Sequence, residues 1–174
     1  MLVINLFGAP GAGKSTGAAY IFSQLKMHGI NAELVTEFAK DKVWEENKEV
    51  FKNQAYIFGK QSFKMSRCKD KVDVIITDSP LFLSAIYNND PVLGEDFNRV
   101  VLNVFHSYNN LNFFIQRDKP YNPIGRHQTE EESNKISENL ENALLLNNIK
   151  YIKVKGNLKH YNMIIENILK EVTK

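Results

Sequence analysis

Leu2 to Phe7 is an unbroken apolar run that stops at Gly8, the pattern of a short strand buried on both faces. From Lys14 to about His28 the apolar positions Ala18, Ile21, Phe22 and Leu25 recur at helical spacing, and Gly29 follows as a stop. Ala32 to Thr36 reads as a second strand. Between Ala39 and Cys68, Trp44, Phe51, Ala55, Phe58, Ser62 and Met65 fall on roughly one helical face, with a break expected at Gly59. Val72 to Thr77 predicts a third strand, about Glu95 to Tyr108 a helix, Leu111 to Gln116 a fourth strand and Lys150 to Val154 a fifth. Thr129 with Glu132 three residues on is a capping box that opens a helix to about Asn147. Leu158, Tyr161, Ile165, Ile168 and Val172 mark a last amphipathic helix. Apolar strands alternating with helices predict a single three-layer α/β domain over residues 1–174, its parallel sheet covered on both faces. No repeat or interdomain linker interrupts it.

Composition changes this picture little. Of 174 residues, 43% are hydrophobic and 24% charged, as in an ordinary globular domain. The single cysteine, Cys68, asks for no oxidising compartment. A net charge of +2 neither predicts nor excludes a nucleic-acid partner. The apolar N-terminus is too short for a signal or membrane segment, so the expectation is a cytoplasmic protein without a membrane partner.

The chemistry is concentrated in one segment. Gly8-Ala9-Pro10-Gly11-Ala12-Gly13-Lys14-Ser15, continued by Thr16, fits G-x-x-x-x-G-K-[ST] at every fixed position, with a strand before it and a helix after it. Such a loop turns its backbone N–H groups around phosphate oxygens, and glycine permits the conformations this requires. The next helix points its positive end at the same anion. Lys14 is placed to reach the β- and γ-phosphates, and the Ser15 hydroxyl to ligate Mg²⁺.

Ligands of open parallel sheets bind beyond the carboxyl ends of the strands. Asp78 stands there after the third strand as a candidate Mg²⁺ carboxylate, its alternative being a turn cap before Pro80. Glu37 follows the second strand as a candidate acceptor ligand or general base, its alternative being an ordinary exposed acid. Four arginines occur against eighteen lysines, and two of them, Arg117 and Arg126, bracket a Pro- and Gly-containing loop. Arginine favours bidentate phosphate contacts, so the loop at about 117–130 reads as a closing lid with Gly125 as hinge. The alternative for both arginines is pairing with Glu130, Glu131 or Glu132. Gln54, Tyr56 and Gln61 offer amides and a ring for an acceptor pocket, whereas Phe58 reads as core. His127 reads as a surface residue and Cys68 as inert.

With these motifs in place, the chain resembles the small P-loop kinases of the nucleoside and nucleoside-monophosphate kinase type. It is most similar to the nicotinamide riboside kinase-like P-loop proteins, which include kinase-like ATPases of phage genomes. The likeness rests on Gly8–Thr16, on Thr36-Glu37-Phe38-Ala39-Lys40, on Asp78 to Ser84, and on the lid from Arg117 to Glu132. Lys40 stands where that family usually carries arginine. The resemblance implies sheet order 2-3-1-4-5, ATP as phosphoryl donor, and an adenine-contacting loop near Gly156 and Asn157.

The leading expectation is an ATP- and Mg²⁺-dependent kinase acting on a nucleoside-like or nucleotide small molecule. Lys14, Glu37, Asp78, Arg117 and Arg126 would be its catalytic groups. A kinase acting on a nucleotide or modified base in DNA is a second reading, resting on Lys60, Lys64, Lys69 and Lys71. A nucleotide-binding switch or ATPase working through a partner is a third. Acceptor identity and a homodimeric state are left open.

Overall fold

The computed structural model describes residues 1–44, 48–124 and 128–172. Strands β1 (Leu2–Phe7), β2 (Ala32–Val35), β3 (Val74–Thr77), β4 (Asn109–Gln116) and β5 (Ile152–Lys155) form one parallel sheet in the order β2-β3-β1-β4-β5. Helices α1 (Lys14–Met27) and α7 (Leu158–Val172) cover one face. The other face carries α3 (Gln54–Ser66), α4 (Leu83–Ile86), α5 (Gly94–His106) and α6 (Glu130–Leu146). A short α2 (Phe38–Trp44) and one turn of 3₁₀ helix (Lys48–Lys52) link β2 to α3.

Strand alternation sorts the core into two halves. From β1, Leu2, Ile4 and Leu6 face α1 and α7, where Ile21, Leu25, Ile164 and Ile168 meet them. Val3 and Phe7 face the opposite layer, among Met65, Phe82, Phe105, Leu140 and Leu144. All six β1 residues are buried, as an interior parallel strand requires.

The same strand carries a polar residue into the interior. Asn5 is 1% exposed and lies between Thr77 of β3 and Asn112 of β4 in the register. Its Nδ2 donates to Asn110 Oδ1 at 2.8 Å and to Asn112 Oδ1 at 2.9 Å. Asn112 Nδ2 in turn donates to the Lys150 carbonyl at 2.9 Å.

Several boundaries differ from the sequence expectation. The break in the 39–68 segment falls before Asn53, not at Gly59. Asn53 caps α3 by accepting from the Tyr56 N–H at 2.9 Å, and Gly59 lies inside that helix. β3 begins at Val74 rather than Val72, and β5 runs Ile152–Lys155 rather than from Lys150. β4 begins at Asn109 rather than Leu111: Asn110 accepts from Asn5 Nδ2 across the sheet and donates to the Phe105 and Tyr108 carbonyls, which seats this polar start against β1. The single turn α4 carries too few residues to register as a periodic pattern. The capping box forms as expected: Thr129 Oγ1 accepts from the Glu132 N–H at 3.2 Å, and the Glu132 carboxylate accepts from the Thr129 N–H at 2.6 Å. Among the described residues no helix is long and apolar enough to cross a membrane.

Candidate active site

The loop between β1 and α1 has the backbone that its glycines foretell. Gly8, Gly11 and Gly13 take φ values of 146°, 82° and 100°, in the region that side-chain-bearing residues avoid. The Ala12 N–H donates to the Ala9 carbonyl at 3.2 Å, which makes Ala9–Ala12 a β-turn. Lys14 lies folded along the loop, its Nζ 2.6 Å from the Gly8 carbonyl and 3.1 Å from that of Ala9. Ser15 and Thr16 are exposed at the first turn of α1.

Two neighbouring elements hold the loop from outside. Tyr161 of α7 donates its hydroxyl to the Gly13 carbonyl at 2.9 Å, and its ring lies against Gly17. A β-carbon on Gly17 would stand 2.6 Å from that ring, which accounts for a glycine beyond the loop motif. Ser133 of α6, 1% exposed, donates to the Pro10 carbonyl at 2.8 Å. Neither contact is visible in sequence, where the partners stand 148 and 123 residues apart.

The neighbouring strands bring both candidate carboxylates to this edge. β3 pairs with β1 and β2 pairs with β3, so Asp78 and Glu37 leave adjacent strand ends next to the loop. They meet directly: the Glu37 N–H donates to Asp78 Oδ1 at 3.1 Å, and Asp78 is 5% exposed. Tyr87, just past α4, completes this corner. Its phenol is pushed up to about 12, first by burial and then by the negative charge of Glu37. Tyr87 carries no sequence signal of its own, because α4 is too short to show a helical period.

Of the proposed acceptor residues, Gln61 is 3% exposed and both ends of its amide bond to protein. It accepts from the Phe38 N–H at 3.1 Å and donates to Thr77 Oγ1 at 3.5 Å, so it braces the turn that carries Glu37. Gln54 is buried and donates to the Phe51 carbonyl at 3.2 Å. Tyr56 is 42% exposed, packs edge-on to Phe38 at 5.6 Å between centroids, and lies under Lys60. Phe58 packs at the core margin, edge-on to Phe97.

At the lid, Arg117 Nη2 lies 2.6 Å from Asn134 Oδ1 and 3.0 Å from Glu130 Oε1, with the guanidinium over the Tyr121 ring. In this state Arg117 is therefore turned onto α6, the pairing the sequence offered as its alternative. Arg126, with Gly125 and His127, lies outside the described residues. On the far side of the loop, the Gly156 N–H donates to the Gln116 carbonyl at 2.8 Å, and a β-carbon on Gly156 would overlap the Ala12 carbonyl. Asn157 donates to Asp118 at 2.6 Å. That bond, and then Lys155, hold the Asp118 carboxyl below its ordinary value.

The donor set suits a hard cation. Ser15 and Asp78 offer oxygen only, and among the described residues no cluster of three His, Cys, Asp or Glu forms a cage of its own. Mg²⁺ favours such sites, since it takes one or two protein oxygens and completes its shell with phosphates and water.

A model of the AAA domain family matches residues 3–160. Comparison with curated proteins gives no match. Among solved structures, the chain is similar to deoxyadenosine kinase from M. mycoides, solved with bound dATP. That match has a TM-score of 0.59 and 21% identity, covering 99% of this chain and 100% of the other. Thymidylate kinase from Candida albicans gives 0.58 at 11% identity, covering 98% and 90%. The NadR protein, solved in complex with NR, gives 0.71 at 16% identity, covering 99% of this chain and 52% of that one. These likenesses are ones of fold.

Proposed function

The chain belongs to the AAA domain family, and we propose that it is an ATP- and Mg²⁺-dependent phosphotransferase acting on a hydroxyl of a nucleoside-like small molecule. The observation that carries this reading is the contact between the Glu37 backbone and the Asp78 carboxylate beside a complete phosphate loop. It brings two acidic residues together at the carboxyl ends of the adjacent strands β2 and β3, which supports one serving metal and the other the acceptor.

The loop amides and Lys14 bind the donor phosphates. Lys14 exchanges its present bonds to the Gly8 and Ala9 carbonyls for phosphate oxygens. Ser15 and Asp78 would hold Mg²⁺, which would supply positive charge to neutralise the donor phosphates. Glu37 accepts the proton of the acceptor hydroxyl, and Tyr87 orients that hydroxyl or the carboxylate. Arg117 and Arg126 close over the transferred group and stabilise its spreading charge, Arg117 after leaving Glu130. Asn157 and Gly156 border the donor base. The kinases among the structural neighbours support this assignment by analogy of fold.

Charge favours a neutral acceptor over a monophosphate. The acceptor corner carries Glu37, Asp78 and Tyr87, with the Lys64 ammonium on the Thr36 carbonyl at 3.2 Å, while Arg67, the arginine closest in sequence to Asp78, pairs with Glu33 within β2 at 3.6 Å. A monophosphate there would meet two carboxylates, with Arg67 held by Glu33 and Arg117 held by Glu130.

The test is a mass-spectrometric screen of purified protein with ATP and Mg²⁺. Its panel holds ribo- and deoxyribonucleosides, their monophosphates, nicotinamide riboside, and single- and double-stranded DNA. Expected is a nucleoside heavier by one phosphoryl group. A phosphorylated monophosphate or DNA end would overturn the acceptor class, and ADP without any phosphorylated acceptor would overturn the kinase reading in favour of an ATPase.

A further inference from the structure

The turn Ala9-Pro10-Gly11-Ala12 at the tip of the phosphate loop has two states available to it. Proline second and glycine third, with Gly11 at φ 82° and the Ala12 N–H on the Ala9 carbonyl, is the signature of a type II turn. A type I turn with the same ends differs by a flip of one peptide unit, that between Pro10 and Gly11. Glycine at the third position offers no steric barrier to either state.

The carbonyl of that peptide is the one Ser133 holds, at 2.8 Å. In a planar trans peptide the C=O and the following N–H point in opposite directions. Fixing the Pro10 oxygen toward α6 therefore fixes the Gly11 N–H away from it. The flip would replace a donor with an acceptor on the side where an anion is to be bound, and repulsion would replace attraction.

We propose that Ser133 is a positioning residue for nucleotide binding, locking the Pro10–Gly11 peptide so that the Gly11 N–H stays available to phosphate. Ser133 sits in the first turn of α6, directly after the lid, beside Asn134, which holds Arg117. The helix that receives the lid arginine thus also sets the tip of the loop. Tyr161 makes a similar bond to Gly13 but with less consequence, because the Gly13 carbonyl is already fixed by the Gly17 N–H at 2.8 Å as α1 begins.

This inference rests on the phosphate-loop reading, and binding alone tests it without knowledge of the acceptor. Titration calorimetry with ATP–Mg²⁺ and with inorganic tripolyphosphate would compare wild type, Ser133→Ala and Tyr161→Phe. Loss of one hydrogen bond's worth of preorganisation predicts affinity for both probes about five- to tenfold weaker in Ser133→Ala, with Tyr161→Phe within about twofold of wild type. In ¹⁵N spectra of the unliganded protein, the Gly11 amide should shift or broaden in Ser133→Ala alone. Unchanged affinity and an unchanged Gly11 signal would overturn the proposal. So would equal weakening in both variants, which indicates general loosening. A wild type that binds neither probe overturns the phosphate-loop reading along with it.

Discussion

Gly17→Ala pits helix propensity against packing, and the structure decides the sign. In an open helix the change stabilises by about 1 kcal/mol, since glycine loses the most backbone freedom on folding. Here the new methyl would stand 2.6, 3.0 and 3.1 Å from three carbons of the Tyr161 ring. That ring is 5% exposed and anchored by its bond to the Gly13 carbonyl, so it has little room to retreat. Overpacking of this kind costs about 1–3 kcal/mol, and displacing the ring forfeits a hydrogen bond of about 1 kcal/mol. The balance is a net loss of about 1–3 kcal/mol, or a midpoint lower by about 2–4 °C for each kcal/mol. Gly59→Ala is the matched control, because a β-carbon there meets nothing within 4 Å. It should stabilise by up to about 1 kcal/mol. Urea unfolding followed by circular dichroism reads both. If Gly17→Ala stabilises as Gly59→Ala does, the packing of α7 on the phosphate loop is not as described.

Lys14→Ala should abolish ATP turnover while moving the thermal midpoint little, because the side chain's present bonds are to loop carbonyls at the surface of the site; undiminished ADP release would defeat the phosphate-loop account. Asp78→Asn keeps an acceptor for the Glu37 N–H but removes the charge, so the fold persists and kcat falls by roughly a hundredfold or more, with an altered Mg²⁺ dependence. A metal titration identical to wild type would remove Asp78 from the site. Stability should fall between about pH 10 and 12. Tyr87 and Tyr151 are both raised to about 12 in the folded chain, chiefly by burial, so the unfolded chain ionises first and their contribution, complete below pH 10, is lost as pH rises. Urea midpoints across that range should flatten in Tyr87→Phe and in Tyr151→Phe, and an unchanged slope in both would contradict it.

What sequence made legible was whatever short-range chemistry dictates. The phosphate loop could be read because its glycines and lysine are a local requirement, and the α6 capping box because its two partners are three residues apart. The strand order followed from the family likeness, and alternation alone could not supply it. Gly59 misled, since a glycine within a helical pattern looks like a break, while the break was made by the Asn53 cap. Gln61 looked like a substrate ligand, and in the fold its amide bonds to Phe38, just after Glu37, and to Thr77, a role that depends on where β3 lies beside α3. The roles of Ser133 and Tyr161 were hidden for the same reason: a serine in a first turn and a tyrosine on an apolar face are ordinary until the fold sets a loop carbonyl opposite each.

The asparagines inside the sheet bear on how the two halves of the site find each other. β1 ends in the phosphate loop and β4 ends at Arg117, so their relative offset sets the distance between donor site and lid. Where strands are buried on both faces, a slide turns few apolar side chains to solvent, so burial alone does not fix the offset. Asn5, Asn110 and Asn112 remove that freedom. A slide past this point would strand amide groups in a hydrocarbon interior, at a cost of about 1–3 kcal/mol for each group left unmatched. They act as a notch and key, and the offset they select sets Phe7 beside Phe114, with the phosphate loop following the one and Arg117 the other.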